Sequence, residues 1–511
     1  MSMKTSLTRR QALTLSGSAA AGLAVGGLPR WAHGAPSTAS PLPIPQLIEV
    51  RNGELVTLLL QKTRHRFGPR PAVPSQGISS SYLGPVVRVR SGDTIPFRVE
   101  NHLDEETTLH WHGLLVPSQV DGGPHNMIRP GAVWSPEITI KQPAATTWFH
   151  PHPHGNTARQ VYSGLAGMMI VSDGADPDRG LPATYGVDDL PIVLQDKRFT
   201  RNGEVVYQPN MMDIMHGFQG DTLLVNGAIA PAANVPVGMV RLRLLNAANA
   251  RNFDLRFADR RPFFVVAGDG GLLAEPVEVR GLVIAPAERY EVLVDFSDGR
   301  AVDLITAPDT HSAGPGMMMQ MGPSRRSAAA TERLMQFKPD PTLKPNITRL
   351  PLALATLAAP DVKPAVAWRT FELNPMMGMG MMGMAMMGMR GMGGQGAGPS
   401  QMMGINGRSF AMDRIDVTAK LGTSEIWEII ASAMPMAHPF HVHGASFRIL
   451  SKDGRKPSAH ESGWKDVVLL QEHAELLVRF DNPAPPRMPF MYHCHILEHE
   501  DHGMMGQLAV V

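Results

Sequence analysis

The stretch Tyr492-His493-Cys494-His495-Ile496-Leu497-Glu498-His499-Glu500-Asp501-His502-Gly503-Met504 lies near the C-terminus and concentrates metal-binding side chains. Its cysteine is the only one in the 511 residues, so it forms no internal disulfide. A lone cysteine is often simply a small buried hydrophobe. This one has a histidine on each side, another histidine five residues on and a methionine ten residues on. One thiolate, imidazoles and a weak thioether are the donors of a blue, electron-transferring copper site.

The spacing around Cys494 also predicts a second metal centre. Successive side chains on a strand point to opposite faces, so His493 and His495 would point away from the cysteine. The two histidines would then serve another centre behind the first, connected to it through only a few covalent bonds. The rest of the sequence should supply that centre's remaining ligands.

Four His-x-His pairs supply them. Residues i and i+2 of a strand share a face, so each pair presents two imidazoles to one side. A single pair is more often a core or surface feature, but four are very unlikely to arise by accident. Imidazole suits copper, and eight imidazoles are enough for three ions. The pairs are His110/His112, His150/His152, His441/His443 and His493/His495.

The pairs belong to an internal repeat. Residues 109–113 parallel residues 440–444, and residues 148–152 parallel residues 491–495, with Pro151 in the position that Cys494 takes. Residues 251–255 stand in the middle part of the chain at the position equivalent to 109–113 and 440–444, and they contain no histidine. The sequence therefore predicts three domains, of which the middle one is a structural spacer without copper ligands. Their predicted bounds are 35–175, 176–335 and 336–511.

Composition and strand patterns favour an all-β protein. The candidate strands are short and rich in Val, Leu and Ile, and turns rich in glycine and proline separate them. A charged fraction of 18% and a formal net charge of +1 give no indication of a nucleic-acid partner. Histidine and methionine, with 20 and 33 residues, are the excesses.

The N-terminus predicts export. Arg9 and Arg10 precede a weakly apolar run that ends in small residues near Ala35, as in a twin-arginine (Tat) signal peptide spanning 1–34. The run is too short to span a bilayer, and no other stretch is long enough. We expect Tat-dependent export to the periplasm and no membrane span in the mature chain.

The four motifs, in this order, resemble those of the multicopper oxidases. The resemblance covers essentially the whole mature chain and implies three cupredoxin-like domains, each a Greek-key β-sandwich or barrel. It implies four coppers: one type 1, one type 2 and two type 3. The implied type 1 ligands are His438, Cys494, His499 and Met504. The implied type 2 ligands are His110 and His441. The implied type 3 ligands are His112, His150 and His495 on one ion and His152, His443 and His493 on the other.

The same resemblance implies two proton-handling carboxylates for the reduction of O2 to water. Asp121 follows His112 by nine residues, and Glu500 follows His499 directly. Three further histidines, His125, His154 and His502, have no position in the ligand scheme and are interpreted as surface groups or as neighbours of the ligands.

A methionine-rich insert, residues 376–403, contains 12 methionines interleaved with glycine. A methionine-rich core helix is the alternative, but glycine at this density opposes a helix. Thioethers prefer Cu(I), and a similar insert occurs in bacterial cuprous oxidases. We therefore expect a substrate-copper site that includes Met376, Met377, Met379, Met434 and Met436. The sequence differs from the enterobacterial member of the cuprous oxidases at Met434, where that enzyme has an aspartate.

These features predict an enzyme that oxidises Cu(I) to Cu(II) with O2 as the acceptor, with phenols as further substrates and with a role in periplasmic copper tolerance. One alternative is a laccase-type phenol oxidase or a manganese oxidase. Another, of a different class, is a non-catalytic copper-sequestering or scaffold protein. The complete set of copper ligands in this chain argues against a scaffold, because degenerate scaffolds lose ligands.

Overall fold

A computed structural model describes residues 39–69, 71–309, 311, 331–375, 402–431 and 436–511 of the chain. These residues form an all-β structure of six sheets, two in each of three consecutive parts of the chain. We call these parts the first unit (47–172), the middle unit (189–340) and the third unit (365–510). The predicted all-β class with three cupredoxin-like domains is confirmed. The insert residues Met376, Met377 and Met379, the signal peptide and Met434 lie outside the described residues.

The first unit packs two sheets, with strand orders β1-β4-β9-β8 and β3-β2-β5-β6, and β7 also pairs with β5. Alternating burial along β5 matches a strand with one face in the core. The strands are β1 (Leu47–Glu49), β2 (Val56–His65), β3 (Val73–Ile78), β4 (Val86–Arg90), β5 (Thr94–His102), β6 (Val133–Trp134), β7 (Glu137–Thr139), β8 (Ala145–Phe149) and β9 (Gly167–Ser172).

The middle unit has the sheet orders β11-β10-β14-β19-β16-β17, with β12 paired to β10, and β13-β21-β20-β15-β18. Every residue of β14 is buried, including Arg241 and Arg243, whose charges are paired with Glu291 of β19. The strands are β10 (Asp189–Phe199), β11 (Val205–Val206), β12 (Thr222–Val225), β13 (Ala232–Pro236), β14 (Met239–Asn246), β15 (Phe253–Phe257), β16 (Phe263–Gly268), β17 (Gly271–Val279), β18 (Leu282–Ile284), β19 (Arg289–Asp295), β20 (Val302–Ala307) and β21 (Glu332–Asp340).

The third unit has the sheet orders β23-β22-β25-β29-β27 and β24-β31-β30-β26-β28. Strands β26 and β30 are adjacent in the second sheet and contain His441, His493 and the cysteine. His443 and His495 follow directly after the ends of these strands. The strands are β22 (Ala365–Pro375), β23 (Met403–Ile405), β24 (Val417–Ala419), β25 (Thr423–Ile430), β26 (His438–Val442), β27 (Ser446–Lys452), β28 (Val467–Leu470), β29 (His473–Phe480), β30 (Phe490–Cys494) and β31 (Met505–Val510).

Short helices connect the strands. They are α1 (Thr157–Ser163), α2 (Met211–His216) and α3 (Leu497–Asp501), with 3-10 turns at Ser118–Val120 and Ala459–Glu461. Each unit has its own apolar core, and the core of the third unit also takes in Met215 and Ala250 of the middle unit. Among the described residues, no helix combines the length and the apolar composition needed to cross a bilayer.

Candidate metal centre

Strand pairing brings the four histidine pairs together. His441 of β26 pairs with His493 of β30, and in the first unit an isolated antiparallel bridge joins His110 to His150. Directly opposed residues present their side chains on the same face, so each bridge assembles imidazoles in a cluster. The two clusters meet between units: the ring of His112 stacks on that of His441 with 3.7 Å between centroids. All eight histidines therefore lie in one buried group at the contact of the first and third units.

Hydrogen bonds set the direction in which most of these rings present their lone pairs. In five rings, Nδ1 lies 2.8 to 3.1 Å from an oxygen that only accepts, so Nδ1 carries the proton and Nε2 holds the lone pair. The acceptors are Asp121 O for His110, Pro151 O for His150, Asp466 O for His441, Asp121 Oδ2 for His443 and Cys494 O for His493.

His112 is turned the other way. Its Nε2 lies 3.2 Å from Asp466 Oδ1, which leaves Nδ1 facing the cluster, 3.4 Å from His150 Nε2. In each ring, the nitrogen that is hydrogen-bonded to an acceptor is unavailable to a metal, and the other nitrogen can bind it. His112 therefore offers Nδ1, whereas the five rings described above offer Nε2.

The ring nitrogens converge in a way that fits a bound cation. Nε2 of His443 lies 3.2 Å from Nε2 of His493, and Nε2 of His152 lies 3.3 Å from the same atom. Two bare lone pairs at this distance repel, and a metal ion between them would remove the repulsion. The Nε2 atoms of His110 and His441 are buried and have no hydrogen bond among the described residues. The donor set therefore fits copper, which imidazole binds well.

Among the residues that the structure describes, ligand atoms within 4.8 Å of one another form three groups made of histidine alone. These are His110/His441/His443, His110/His112/His150 and His152/His443/His493. The third group has the same members as one of the two type 3 sets proposed from the sequence. His495 lies beside the second group, with ring centroids 5.2 Å from His112 and 5.5 Å from His150.

Burial favours the neutral form of histidines in the cluster. It lowers the pKa of His493 to about 3, and it depresses the pKa of His152 and His443 well below the ordinary value of 6.5. These three imidazoles therefore stay in the neutral form that binds metals at physiological pH.

The proposed type 1 residues lie together in the core of the third unit. His438, Cys494, His499 and Met504 are all fully buried. Cys494 Sγ lies 3.7 Å from His499 Nδ1, because His499 Nε2 donates to the carbonyl of Met215, 3.2 Å away. Both ring nitrogens of His438 have no hydrogen bond among the described residues. Burial raises the pKa of the Cys494 thiol, so a bound cation would be needed to hold it as thiolate.

The two proposed proton-handling carboxylates border the histidine cluster. Asp121 accepts from His443 Nδ1 at 2.8 Å. Glu500 places its oxygens 3.5 Å from His152 Nδ1 and 3.2 Å from His493 Nδ1. Both carboxylates therefore touch proposed type 3 ligands.

Sequence reasoning missed Asp466 and Arg289. Asp466 contacts both His112 and His441, and Arg289 of the middle unit donates to its carboxylate. Asp466 follows His443 by 23 residues and belongs to no local motif, so nothing in the sequence distinguishes it. Its role depends on a contact between units.

Met436 and the three histidines without a position in the ligand scheme make other contacts. Met436, proposed for substrate copper, is only 1% exposed and belongs to the core of the third unit. His125 Nε2 lies 2.6 Å from Gln507 Oε1, His154 packs against Phe410, and His502 Nδ1 lies 2.7 Å from Glu498 O.

Comparison with known proteins identifies the family. The sequence patterns described as "Multicopper oxidase" match residues 60–176, 199–312 and 381–511. Among solved structures, the laccase-like multicopper oxidase CueO of Ochrobactrum sp. is 49% identical and has a TM-score of 0.82. It covers 92% of this chain and 100% of its own, and is described as active towards lignin model compounds and lignosulfonate. A multicopper oxidase of Pediococcus acidilactici is 34% identical over 94% of this chain and 93% of its own, with a TM-score of 0.76.

Curated relatives carry a different name. Proteins named "Cell division protein FtsP" are 38% identical in Xenorhabdus nematophila and 37% identical in Escherichia coli, each over 99% of both chains. The predicted function, Cu(I) oxidation in copper tolerance, is wrong on this finding. The physical reason is that copper ligands determine where electrons travel and leave open which molecule supplies them. That substrate was inferred from a low-complexity methionine stretch, and such a stretch defines no single binding geometry.

Proposed function

This chain belongs to the multicopper oxidase family, and on that premise we propose that it is an exported copper-dependent oxidoreductase with O2 as the electron acceptor. One observation carries the proposal: eight buried imidazoles converge between the first and third units, one residue away from a buried Cys-His-Met site. Every ligand type that four coppers need is present in the chain. A scaffold that had lost its chemistry would have no reason to keep bare lone pairs 3.2 Å apart.

In this proposal, His438, Cys494, His499 and Met504 hold the type 1 ion. His110 and His441 hold the type 2 ion, and the remaining six histidines of the cluster hold the type 3 pair. Copper, when bound, supplies one-electron redox chemistry in steps that match the four-electron reduction of O2 to water.

The protein's own contribution is connection, orientation and protons. Peptide bonds join Cys494 directly to His493 and His495, so the two sites are linked through a short covalent path. Asp121 and the carbonyl of Pro151 fix the tautomers of His443 and His150. Glu500, 1% exposed and in contact with two of the rings, is placed to deliver protons inside a site that excludes bulk water.

Copper content, an absorption spectrum and O2 uptake on the purified protein test the proposal. We expect four coppers per chain, an intense thiolate-to-copper band, and O2 uptake with a small phenolic donor such as 2,6-dimethoxyphenol. No peroxide should accumulate. A protein that binds four coppers without consuming O2, or binds fewer, would contradict the proposal.

Export forms the second part of the proposal. The twin arginines and the apolar run that follows support Tat-dependent transfer to the periplasm. Replacing both arginines (Arg9→Lys with Arg10→Lys) should leave the protein in the cytoplasm. The matched control replaces Lys4 and Arg30, which lie outside the motif, and should still be exported.

A role in cell division is a second candidate, favoured by the name of the curated relatives that match over 99% of both chains. The chain would be expressed in an Escherichia coli strain lacking FtsP, with cell length measured by microscopy and E. coli FtsP as the positive control. Recovery with the Cys494→Ser variant as well would show that division does not depend on the type 1 site. No recovery with any form would remove this candidate.

A further inference from the structure

Helix α3, which contains the type 1 residue His499, is anchored on the middle unit. The backbone N–H of Leu497 donates to Asn249 O at 3.1 Å, and His499 Nε2 donates to Met215 O at 3.2 Å. Gly217 allows this close approach, because a Cβ at that position would lie 2.9 Å from Ile496 Cγ2. The middle unit, which contributes no proposed copper ligand, therefore forms one wall of the type 1 site.

Glu498 provides the strongest of these attachments. Its side chain is fully buried, and three donors, all from the middle unit, satisfy its two oxygens. Oε1 accepts from the Tyr207 hydroxyl at 3.0 Å and from Asn249 Nδ2 at 2.8 Å, and Oε2 accepts from Phe218 N–H at 2.8 Å. A buried carboxylate needs such donors, because an unpaired one is costly to desolvate.

The next residue, His499, has little freedom once Glu498 is fixed. Met215 O holds its far nitrogen, and this leaves Nδ1 directed at Cys494 Sγ, 3.7 Å away. Hydrogen bonds behind a metal ligand orient it and tune the metal, and their loss typically lowers metal affinity by about 10- to 100-fold. Glu498 acts in this way through the backbone it shares with His499.

We propose that Glu498 is a positioning residue of the type 1 site, and that the middle unit acts through it to fix His499. The inference rests on the proposed function, since it concerns the copper that His499 would hold. The middle unit is then more than a spacer: it determines the geometry of a metal site in the third unit.

The test compares copper-loaded full-length variants with the native chain. Glu498→Gln keeps the shape but puts an amide N–H against a donor, because both oxygens of the native carboxylate accept hydrogen bonds. We expect type 1 copper affinity, measured by competition with a Cu(I) chelator, to fall about 10-fold or more. The thiolate-to-copper band and the type 1 EPR signal should shift in the copper that remains, while the other three coppers stay bound.

Tyr207→Phe is the milder variant and serves if Glu498→Gln fails to fold. It removes one of the three donors, so the same spectral shift should occur to a smaller extent. Tyr162→Phe is the matched control: its ring packs 5.1 Å from that of Tyr207, but its hydroxyl accepts from Arg198 N–H and does not contact Glu498. Its type 1 spectrum should equal that of the native protein.

The outcomes separate this inference from the proposed function. A native chain without a type 1 band would defeat the proposed function and this inference with it. A native chain with four coppers and a Glu498→Gln variant with unchanged affinity and spectrum would overturn the inference alone. Parallel loss of all four coppers with a lower melting temperature would assign Glu498 to general stability and would also overturn it.

Discussion

Arg289 of the middle unit donates two hydrogen bonds to the carboxylate of Asp466 in the third unit, at 2.7 and 2.5 Å. The Arg289 side chain is fully buried. Asp466 Oδ1 also lies 3.2 Å from His112 Nε2 in the first unit, and the Asp466 carbonyl accepts from His441 Nδ1. This one ion pair therefore connects all three units at the wall of the histidine cluster. The ion pair therefore links the stability of the packing between the three units to the orientation of His112 and His441.

Removing the arginine should destabilise the protein strongly. Arg289→Ala leaves the Asp466 carboxylate buried without its partner, and breaking a buried pair in this way costs about 3–5 kcal/mol. Urea unfolding of the metal-free protein measures the loss. Arg256→Ala is the control, because Arg256 is exposed and its ion-pair partner among the described residues is Asp254 at the surface, so we expect a change within about 0.5 kcal/mol. Equal effects of the two variants would contradict the prediction.

Changing the aspartate should affect the type 2 and type 3 coppers more than the type 1 copper. Asp466→Asn keeps the size of the side chain but weakens the hydrogen bond that His112 Nε2 donates to it and that orients the His112 ring. Metal affinity in the cluster should therefore fall about 10- to 100-fold. Copper titration with EPR detection of the type 2 signal measures this. The thiolate-to-copper band of the type 1 site should be unchanged, and its loss would show that Asp466 acts on overall folding instead.

Cys494→Ser should separate the two proposed sites. A serine hydroxyl is a poor substitute for a thiolate, so the thiolate-to-copper band should disappear while three coppers remain in the histidine cluster. O2 uptake with a phenolic donor should fall to background, because the covalent link to His493 and His495 begins at that sulfur. Undiminished O2 uptake by this variant would refute the proposed electron path.

Glu500→Gln should slow O2 reduction without emptying the sites. The amide has a similar shape but delivers no proton, and proton transfer by a positioned side chain typically contributes about 10²- to 10⁴-fold. We therefore expect O2 uptake to fall by about 10²-fold or more, with four coppers still bound. Glu137→Gln, at an exposed position of β7, is the control. A slow variant that has also lost copper would indicate a role in metal binding.

The acid stability of the middle unit should depend on Glu291. Burial alone would raise the pKa of this carboxyl, but the charges of Arg241 and Arg243 hold it at about 2, against an ordinary value of 4.5. A pKa depressed in the folded state stabilises the protein above pH 4.5, and that contribution is lost as the pH falls from 4.5 towards 2. The shift corresponds to roughly 3 kcal/mol.

Glu291→Gln tests this dependence through urea unfolding at a series of pH values. The variant should be less stable at pH 7, and its free energy of unfolding should fall less between pH 5 and pH 2. Glu278→Gln, at an exposed position of β17 in the same unit, should keep the native pH profile. A Glu291→Gln profile parallel to the native one would contradict the assignment.

Most of the fold and the histidine cluster could be predicted from the sequence. Short strands with alternating burial, as in β5 and β25, leave a period-two pattern that can be read locally. The turns at Asn226-Gly227 and Asn406-Gly407 are also local signals, and both residues of each turn have the positive φ that this dipeptide adopts readily. The histidine pairs were recognisable because residues two apart in an extended chain share a face. In the structure, His441 and His493 lie on strands, and His443 and His495 follow directly after them.

The sequence alone thus determined which histidine pairs come together and the chain's all-β fold class, since these depend on spacings of a few residues. Only the tertiary structure decided which ring nitrogen His112, His441, His443 and His499 offer, because their acceptors at Asp466, Asp121 and Met215 come from distant parts of the chain. It also decided the middle unit's contacts with the sites, through Arg289 and the donors to Glu498. Such contacts depend on how separate sheets pack, and packing between units leaves no periodic trace in the order of residues.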